Sequence, residues 1–283
     1  MSLQRVIASA MEWVPQNIHI AMRGKRSQPS KLANAIHAVL NRLPVQRYPV
    51  LKCSGVLDGY RMKIDWKKNR SFAYGTYEPE VVRAISRVVS AGMTALDIGA
   101  HSGFFTLLLA KVVGPKGRVV AFEPLPANFR MLQENVRLNS LMNVRLEKQG
   151  VHSNSGQLTF EVPDAESFLL AGPMHHDDER PTTMVLATSL DLYVFQHDMK
   201  VDFIKIDVEG AEDDVLKGAE KTIKAFHPAM VIEVHDLDKQ SRLHSGLAVL
   251  AALGYELEPL GEALYTTHVL ARWKEHGQLK GQA

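Results

Sequence analysis

"TALDIGAHSGFF", residues Thr94–Phe105, decides how the chain is read. An apolar run ends on an acid, Asp97. Gly99 and Gly103 follow in G-x-x-x-G spacing, and a second apolar run begins. The pattern is a buried strand, a tight loop and a helix in succession. Glycines there tolerate backbone angles that a β-carbon forbids and let backbone N–H groups come close to a ligand. A helix starting near Gly103 aims its N-terminus at the same point, which favours a carboxylate or phosphate. The loop is not G-x-G-x-x-G, and this argues against a nicotinamide site.

Outward from that loop, helices and strands alternate. "EPEVVRAISRVV" reads as a helix before it, and "GFFTLLLAKVV" as the helix after it. "GPKG" then turns the chain into the strand "RVVAFEP", followed by the helix "NFRMLQENVRLN" and the strand "NVRLEKQG". Beyond them come the strand "VDFIKID", one helix over "AEDDVLKGAEKTIKAF", the strand "AMVIEVH", a further helix and two short terminal strands. Such alternation predicts an α/β fold, a doubly wound and mostly parallel sheet with helices on both faces. Apolar strands with little alternation fit burial on both sides. "GQLTFEV" is expected as an extra strand. The polar stretch "PDAESFLLAGPMHHDDERPTT" after it is long enough to be a lid or a disordered loop, and a lid would shape acceptor choice. Within it, His175-His176-Asp177-Asp178 reads as surface, because adjacent residues on an irregular loop rarely share a metal's geometry.

The first 70 residues read as an N-terminal extension and residues 71–283 as the main domain. Leu32, Ile36, Val39, Leu40 and Leu43 recur at helical spacing behind a Ser30 cap, and Pro44 stops the run. "VLKCSGVL" and "YRMKIDW" flank Asp58-Gly59, the signal of two strands joined by a tight turn. Residues 1–75 carry 13 Lys/Arg against 3 Asp/Glu, a net +10, which leaves −8 for the rest. A basic lobe of this kind meets an anionic partner, or docks on its own acidic body or on a second subunit in a homo-oligomer. It has no aromatic-basic recognition motif, so nucleic acid is not the expected partner. The single cysteine, Cys53, excludes an intramolecular disulfide and a thiolate zinc site. No stretch approaches the roughly 20 apolar residues of a membrane span, and the first residues lack a secretory pattern, so a cytoplasmic protein is expected.

A second acid, Glu123, ends the next strand, where a carboxylate can accept both hydroxyls of a ribose. Asp97, next to a site suited to a carboxylate, points to a zwitterionic ligand with an ammonium group. S-adenosylmethionine combines these features. The plainer alternative is a glycine turn with two surface acids. "ALDIGAHSGFFTLLLA", "GRVVAFEPLPANFRMLQENVRLN", "VDFIKIDVEGAEDDVLKGAEKTI" and "PAMVIEVH" together resemble the FkbM-type methyltransferases, over about residues 70–260. "YGTYEPEVVRAI" is similar to that family's segment before the glycine loop. The resemblance implies a seven-stranded fold whose last strand runs antiparallel, and S-adenosylmethionine as cofactor. Asp97, Gly99, Ser102, Gly103, Glu123 and Glu78 are the candidate cofactor-binding residues. "AHS" stands where the family more often has Ala-Asn-Ile, which removes an Asn side chain from the loop.

Methyl transfer to an alcohol needs help at the acceptor, whose hydroxyl is a poor nucleophile at neutral pH. Asp207 and Glu209 follow the strand "VDFIKI", while Glu233 and His235 end "MVIEV" on one side of that strand. If the two strands are neighbours, as the fold implies, Asp207, Glu233 and His235 converge as candidate catalytic residues. The same three suit Mg²⁺ or Mn²⁺ with open water positions. Without a metal, His235 can serve as a general base, Asp207 as a cofactor contact or helix cap, and Lys205 as an ion-pair partner. The expected function is O-methylation of a hydroxyl on a sugar, glycan or secondary metabolite. A nucleic-acid-binding or RNA-modifying protein, or a binding protein without turnover, is the alternative.

Overall fold

The computed structural model describes residues 47–161, 182–235, 243–262 and 266–274. The expected helix over residues 32–43 and the His175–Asp178 stretch lie outside them. Strands β1 (Val50–Lys52) and β2 (Arg61–Lys63) form a hairpin, followed by helices α1 (Arg70–Tyr74) and α2 (Pro79–Val88). The alternating part runs β3 (Thr94–Ile98), α3 (Phe104–Val113), β4 (Arg118–Phe122), α4 (Pro126–Leu138) and β5 (Val144–Glu147). A small sheet follows from β6 (Gly150–Val151), β7 (Gly156–Glu161) and β8 (Thr182–Thr188), then α5 (Leu190–Gln196) and β9 (Phe203–Ile206). The chain continues through α6 (Glu212–Lys217), α7 (Glu220–Phe226), β10 (Ala229–His235), α8 (Leu243–Ala252), β11 (Tyr255–Glu262) and β12 (Thr266–Trp273).

Seven strands make the central sheet, in the order β11-β12-β10-β9-β3-β4-β5. The pairs from β10 to β5 are all parallel, and β12 runs antiparallel between β10 and β11. The last strand is therefore the reversed one. The chain winds outward in one direction from β3 through β4 to β5, and in the other from β9, so the switch point lies between β3 and β9.

Alternate residues of the buried strands feed two cores. Leu96, Ile98, Val120, Phe122, Ile204 and Ile232 pack against Leu190, Val215 and Ile223 of α5, α6 and α7. Ala95, Val119, Phe203, Val231 and Leu270 face the other way, against Ile85 of α2 and Leu109 of α3. Leu57, Met62 and Ile64 of the hairpin region join this second core, so residues 47–70 are built into it. The otherwise open edge of β2 is covered by Asn135 of α4 and by Asn139, which caps that helix. Asn135 receives the Lys63 N–H at 2.6 Å and donates to the Lys63 carbonyl at 3.0 Å, and Asn139 treats Arg61 in the same way at 2.8 and 2.7 Å.

Four local expectations change. The hairpin strands are joined by eight residues, Cys53–Tyr60, rather than by a tight turn. The Asp58-Gly59 turn survives inside that loop, closed by Tyr60 N–H to the Leu57 carbonyl at 2.9 Å. Its extra residues let Leu57 plug the core at 0% exposure, and Lys111 Nζ caps the Val56 and Asp58 carbonyls. The helix expected over residues 211–226 breaks into α6 and α7 at Gly218-Ala219. A β-carbon on Gly218 would lie 2.2 Å from the His152 carbonyl, so packing against the small sheet fixes the break. Strands β11 and β12 are not short but eight residues each. Strand β8 and helix α5 were not anticipated at all.

Candidate active site

A cleft opens where the carboxyl ends of β3, β4 and β9 meet, at the switch point. Gly99 and His101 form one side, Glu123 and Asn128 the next, and Lys205, Asp207 and Glu209 the third. The space within it, open solvent at the mouth included, is about 1010 Å³. Part of its wall is aromatic: Phe72, Tyr77, Phe104 and Phe105 meet with ring centres 4.5–5.9 Å apart.

Gly99 is required for a different reason from the one its spacing suggests. It sits at φ +82°, and a β-carbon there would lie 1.7 Å from the Asp207 carbonyl oxygen. The N–H groups of Gly99 and Ala100 both go to the Phe122 carbonyl, at 3.0 and 2.9 Å, and Asp207 N–H goes to Ile98. The loop therefore ties the ends of β3, β4 and β9 together instead of offering those two amides to a ligand. Gly103 starts α3 at φ +96° and makes way for Leu132. Ser102 is buried, and its carbonyl accepts from Asn135. Neither Ser102 nor Gly103 lines the cleft.

Glu123 does line it, and its carboxylate is anchored at both oxygens. Oε2 accepts the His101 N–H at 2.8 Å and Oε1 the Leu125 N–H at 2.9 Å. A carboxylate fixed in this way on the cleft wall suits a ribose diol. Burial pushes its pKa up to about 7, against the pull of those amides and of Asn128. Asp97 stands one layer behind, fully buried. Its Oδ2 accepts from Thr106 at 2.5 Å, while Oδ1 has no hydrogen-bond partner among the described residues. An orphaned carboxylate oxygen behind the glycine loop is consistent with a cationic ligand group.

Asp97 belongs to a polar row that crosses the sheet on the face of the second core. The register sets Asp97 beside Lys205. Lys205 is 3% exposed, lies over the Phe105 ring and donates to Asp207 Oδ2 at 2.8 Å. Burial raises the Asp207 pKa, but Lys205 outweighs it and holds the carboxyl below its usual range. Burial likewise works against the Lys205 charge, and Asp207 and Asp97 more than restore it.

Past Asp207, the ends of β9, β10 and β12 gather the remaining acids and two imidazoles. His235 Nδ1 lies 2.8 Å from Glu212 Oε1, and its Nε2 lies 3.3 Å from Glu209 and 3.7 Å from Glu233. Burial alone would lower the His235 pKa, but Glu212, Glu209 and Asp207 hold it up at about 9. Burial pushes Glu209 up to about 7. Asp207, Glu233 and His235 are thus brought together, with donor atoms within 4.8 Å of one another. Only Asp207 of the three lines the cleft, and Glu209 stands between the cleft and His235.

Glu78 is placed elsewhere than expected. It begins α2 in the left-handed region, φ 39°, and makes no capping hydrogen bond. Its carboxylate lies 3.4 Å from His268 Nε2 rather than on the wall of the cleft. Sequence reasoning missed His268, which faces Glu233 across the β10–β12 pair and is held up at about 10 by Glu233 and Glu78 despite burial. Only the antiparallel register puts those two together, and no local spacing signals it. Tyr77, also missed, lines the cleft, with its pKa raised by burial and then by Glu78.

A family model for the methyltransferase FkbM domain matches residues 97–257. Methyltransferase 1 of Beauveria bassiana is 26% identical over 160 residues, covering 50% of this chain and 64% of that protein. The hexuronic acid methyltransferase AglP of Haloferax volcanii is 28% identical over 159 residues, covering 56% and 62%. The chain thus spans less than two thirds of the length of these relatives. A solved methyltransferase FkbM from Methylobacillus flagellatus is 21% identical with a TM-score of 0.47, over 69% of this chain and 51% of that one. On the family match over more than half its length, the chain belongs to the FkbM methyltransferase family.

Proposed function

We propose that the protein is an S-adenosylmethionine-dependent O-methyltransferase acting on a hydroxyl of a sugar, glycan or secondary metabolite. The observation that carries this reading is one cleft with Glu123 on one wall and the Asp207–Glu209 segment on another. Glu123 accepts the ribose hydroxyls, and Asp97 supplies negative charge behind the glycine loop. Gly99, Ser102 and Gly103 act by holding the loop's shape. S-adenosylmethionine, when bound, supplies a methyl group on a sulfonium that is already activated for transfer.

The chain's own part is to ionise and aim the acceptor. Glu209, on the wall of the cleft, takes the hydroxyl proton, and His235 behind it stabilises the ionised carboxylate. The acceptor oxygen forms the new O–CH₃ bond, and the S–CH₃ bond breaks with its electron pair left on sulfur. In the alternative, with His235 neutral, Asp207, Glu233 and His235 would hold a Mg²⁺ or Mn²⁺, which would lower the acceptor's pKa. A uronic acid is the first acceptor to try, since one relative is named for it.

The test is calorimetric titration of the cofactor-free full chain with S-adenosylmethionine, in chelator and then with added Mn²⁺. Binding by the wild type and its loss in Glu123→Ala are expected. No heat in either buffer would overturn the reading.

A further inference from the structure

The ends of β9, β10 and β12 hold more ligating atoms than one cation uses. Glu78, Glu233 and His268 form a second set with donor atoms within 4.8 Å of one another, sharing only Glu233 with the first. Glu233 divides itself between them. Its Oε2 lies 3.4 Å from His268 Nε2, and its Oε1 lies 3.7 Å from His235 Nε2. Each oxygen of one carboxylate thus faces a different imidazole.

The second set is also where hydrogen bonding fails. Among the described residues, Glu78 Oε2 and His268 Nε2 are buried atoms with no partner at hydrogen-bond geometry, and His268 is only 8% exposed. His268 Nε2 stands 3.4 Å from Glu78 Oε2 as well as from Glu233 Oε2. Charge-assisted hydrogen bonds close to about 2.7–2.9 Å, so at 3.4 Å His268 pairs with both carboxylates by charge without a close hydrogen bond to either. Around an ion with bonds of about 2.1 Å, neighbouring ligand atoms lie roughly 3.0–3.4 Å apart. Glu78 is held in a left-handed backbone conformation, φ 39° and ψ 62°, while its side chain turns to this point and leaves its helix uncapped.

We propose that Glu78, Glu233 and His268 bind a second divalent cation of the Mn²⁺ class, with Glu233 bridging to the Asp207–His235 position. Two carboxylates and an imidazole suit Mn²⁺ better than Ca²⁺. On the His235 side, Glu212 receives the Nδ1 proton and leaves Nε2 facing the shared carboxylate, the arrangement typical of a ligating histidine. Any benefit to the acceptor oxygen rests on the methyl-transfer reading, but the binding does not.

The full chain, stripped with chelator and desalted, is titrated with MnCl₂ while electron paramagnetic resonance follows the free ion. Two equivalents are expected for the wild type, falling to one in His268→Ala and in Glu78→Gln. Circular dichroism checks that each variant folds, and Glu78→Gln carries the test if His268→Ala does not. At most one equivalent in the wild type, or two retained in Glu78→Gln, overturns the proposal. S-adenosylmethionine binding is measured on the same samples. Binding of that cofactor with a single Mn²⁺ rejects the second position alone, whereas two Mn²⁺ without cofactor binding support it and reject the methyltransferase reading.

Discussion

The two ends of the cleft satisfy their charges in opposite ways. At the β3–β4 end, Glu123 is held by backbone N–H groups from its own loops, and the loop amides are spent on Phe122. At the β9–β10–β12 end, carboxylates and imidazoles face mainly one another. Backbone donors fix a carboxylate wherever the chain path is fixed, so the first end is ready for a ligand as it stands. Side chains that rely on each other respond together to any added or lost charge. The first end therefore suits a constant cofactor, and the second suits chemistry in which protons or cations move.

Lys205 joins the two ends, and removing it is the strongest way to break the comparison. Lys205→Met leaves Asp97 and Asp207 buried without their shared counter-charge, a loss of about 3–5 kcal/mol. Urea denaturation would read it as a lower midpoint with an unchanged slope. A loss under about 1 kcal/mol would mean that the two ends do not depend on one another.

A smaller effect isolates the first end. In Glu123→Gln the amide NH₂ must face either the His101 or the Leu125 N–H, donor against donor. The expected cost is about 1–3 kcal/mol of stability, again by urea, with weaker cofactor binding. An unaffected variant would show that the backbone anchoring matters less than the shape of the side chain.

A pH dependence separates the ends. Burial raises the Glu123 carboxyl from 4.5 to about 7 in the fold. Its contribution is therefore present at low pH and lost as pH rises through that window. His235 and His268 are raised from 6.5 to about 9 and about 10. Their stabilisation is complete below pH 6.5 and disappears as pH climbs through 9 to 10. Melting temperatures between pH 7 and 10 should decline in the wild type and decline less in His268→Gln.

What could be read in the sequence follows the same division. Strands β3, β4, β9 and β10 carry apolar residues on both faces, and the glycine loop is contiguous, so local pattern revealed them. The meeting of Asp207 with Glu233 and His235 needed only the period of a strand and one neighbour relation. His268 was hidden, because it reaches Glu233 only through the reversed placement of β12. Strand β8 was hidden for a different reason: it leaves Met184 and Leu186 largely exposed, at 65% and 59%, so its apolar residues mark no buried face. The break at Gly218 depends on His152, a contact that no helical period encodes.

Cys53 gives the hairpin one more property. It is the chain's single cysteine, 2% exposed, with a thiol pushed up to about 12 by burial. In the closed fold it is nearly inert to alkylating reagents, since only a thiolate reacts quickly. Its labelling rate in native buffer therefore counts how often the hairpin lifts from α3, a clock for local opening on the core that underlies the cleft.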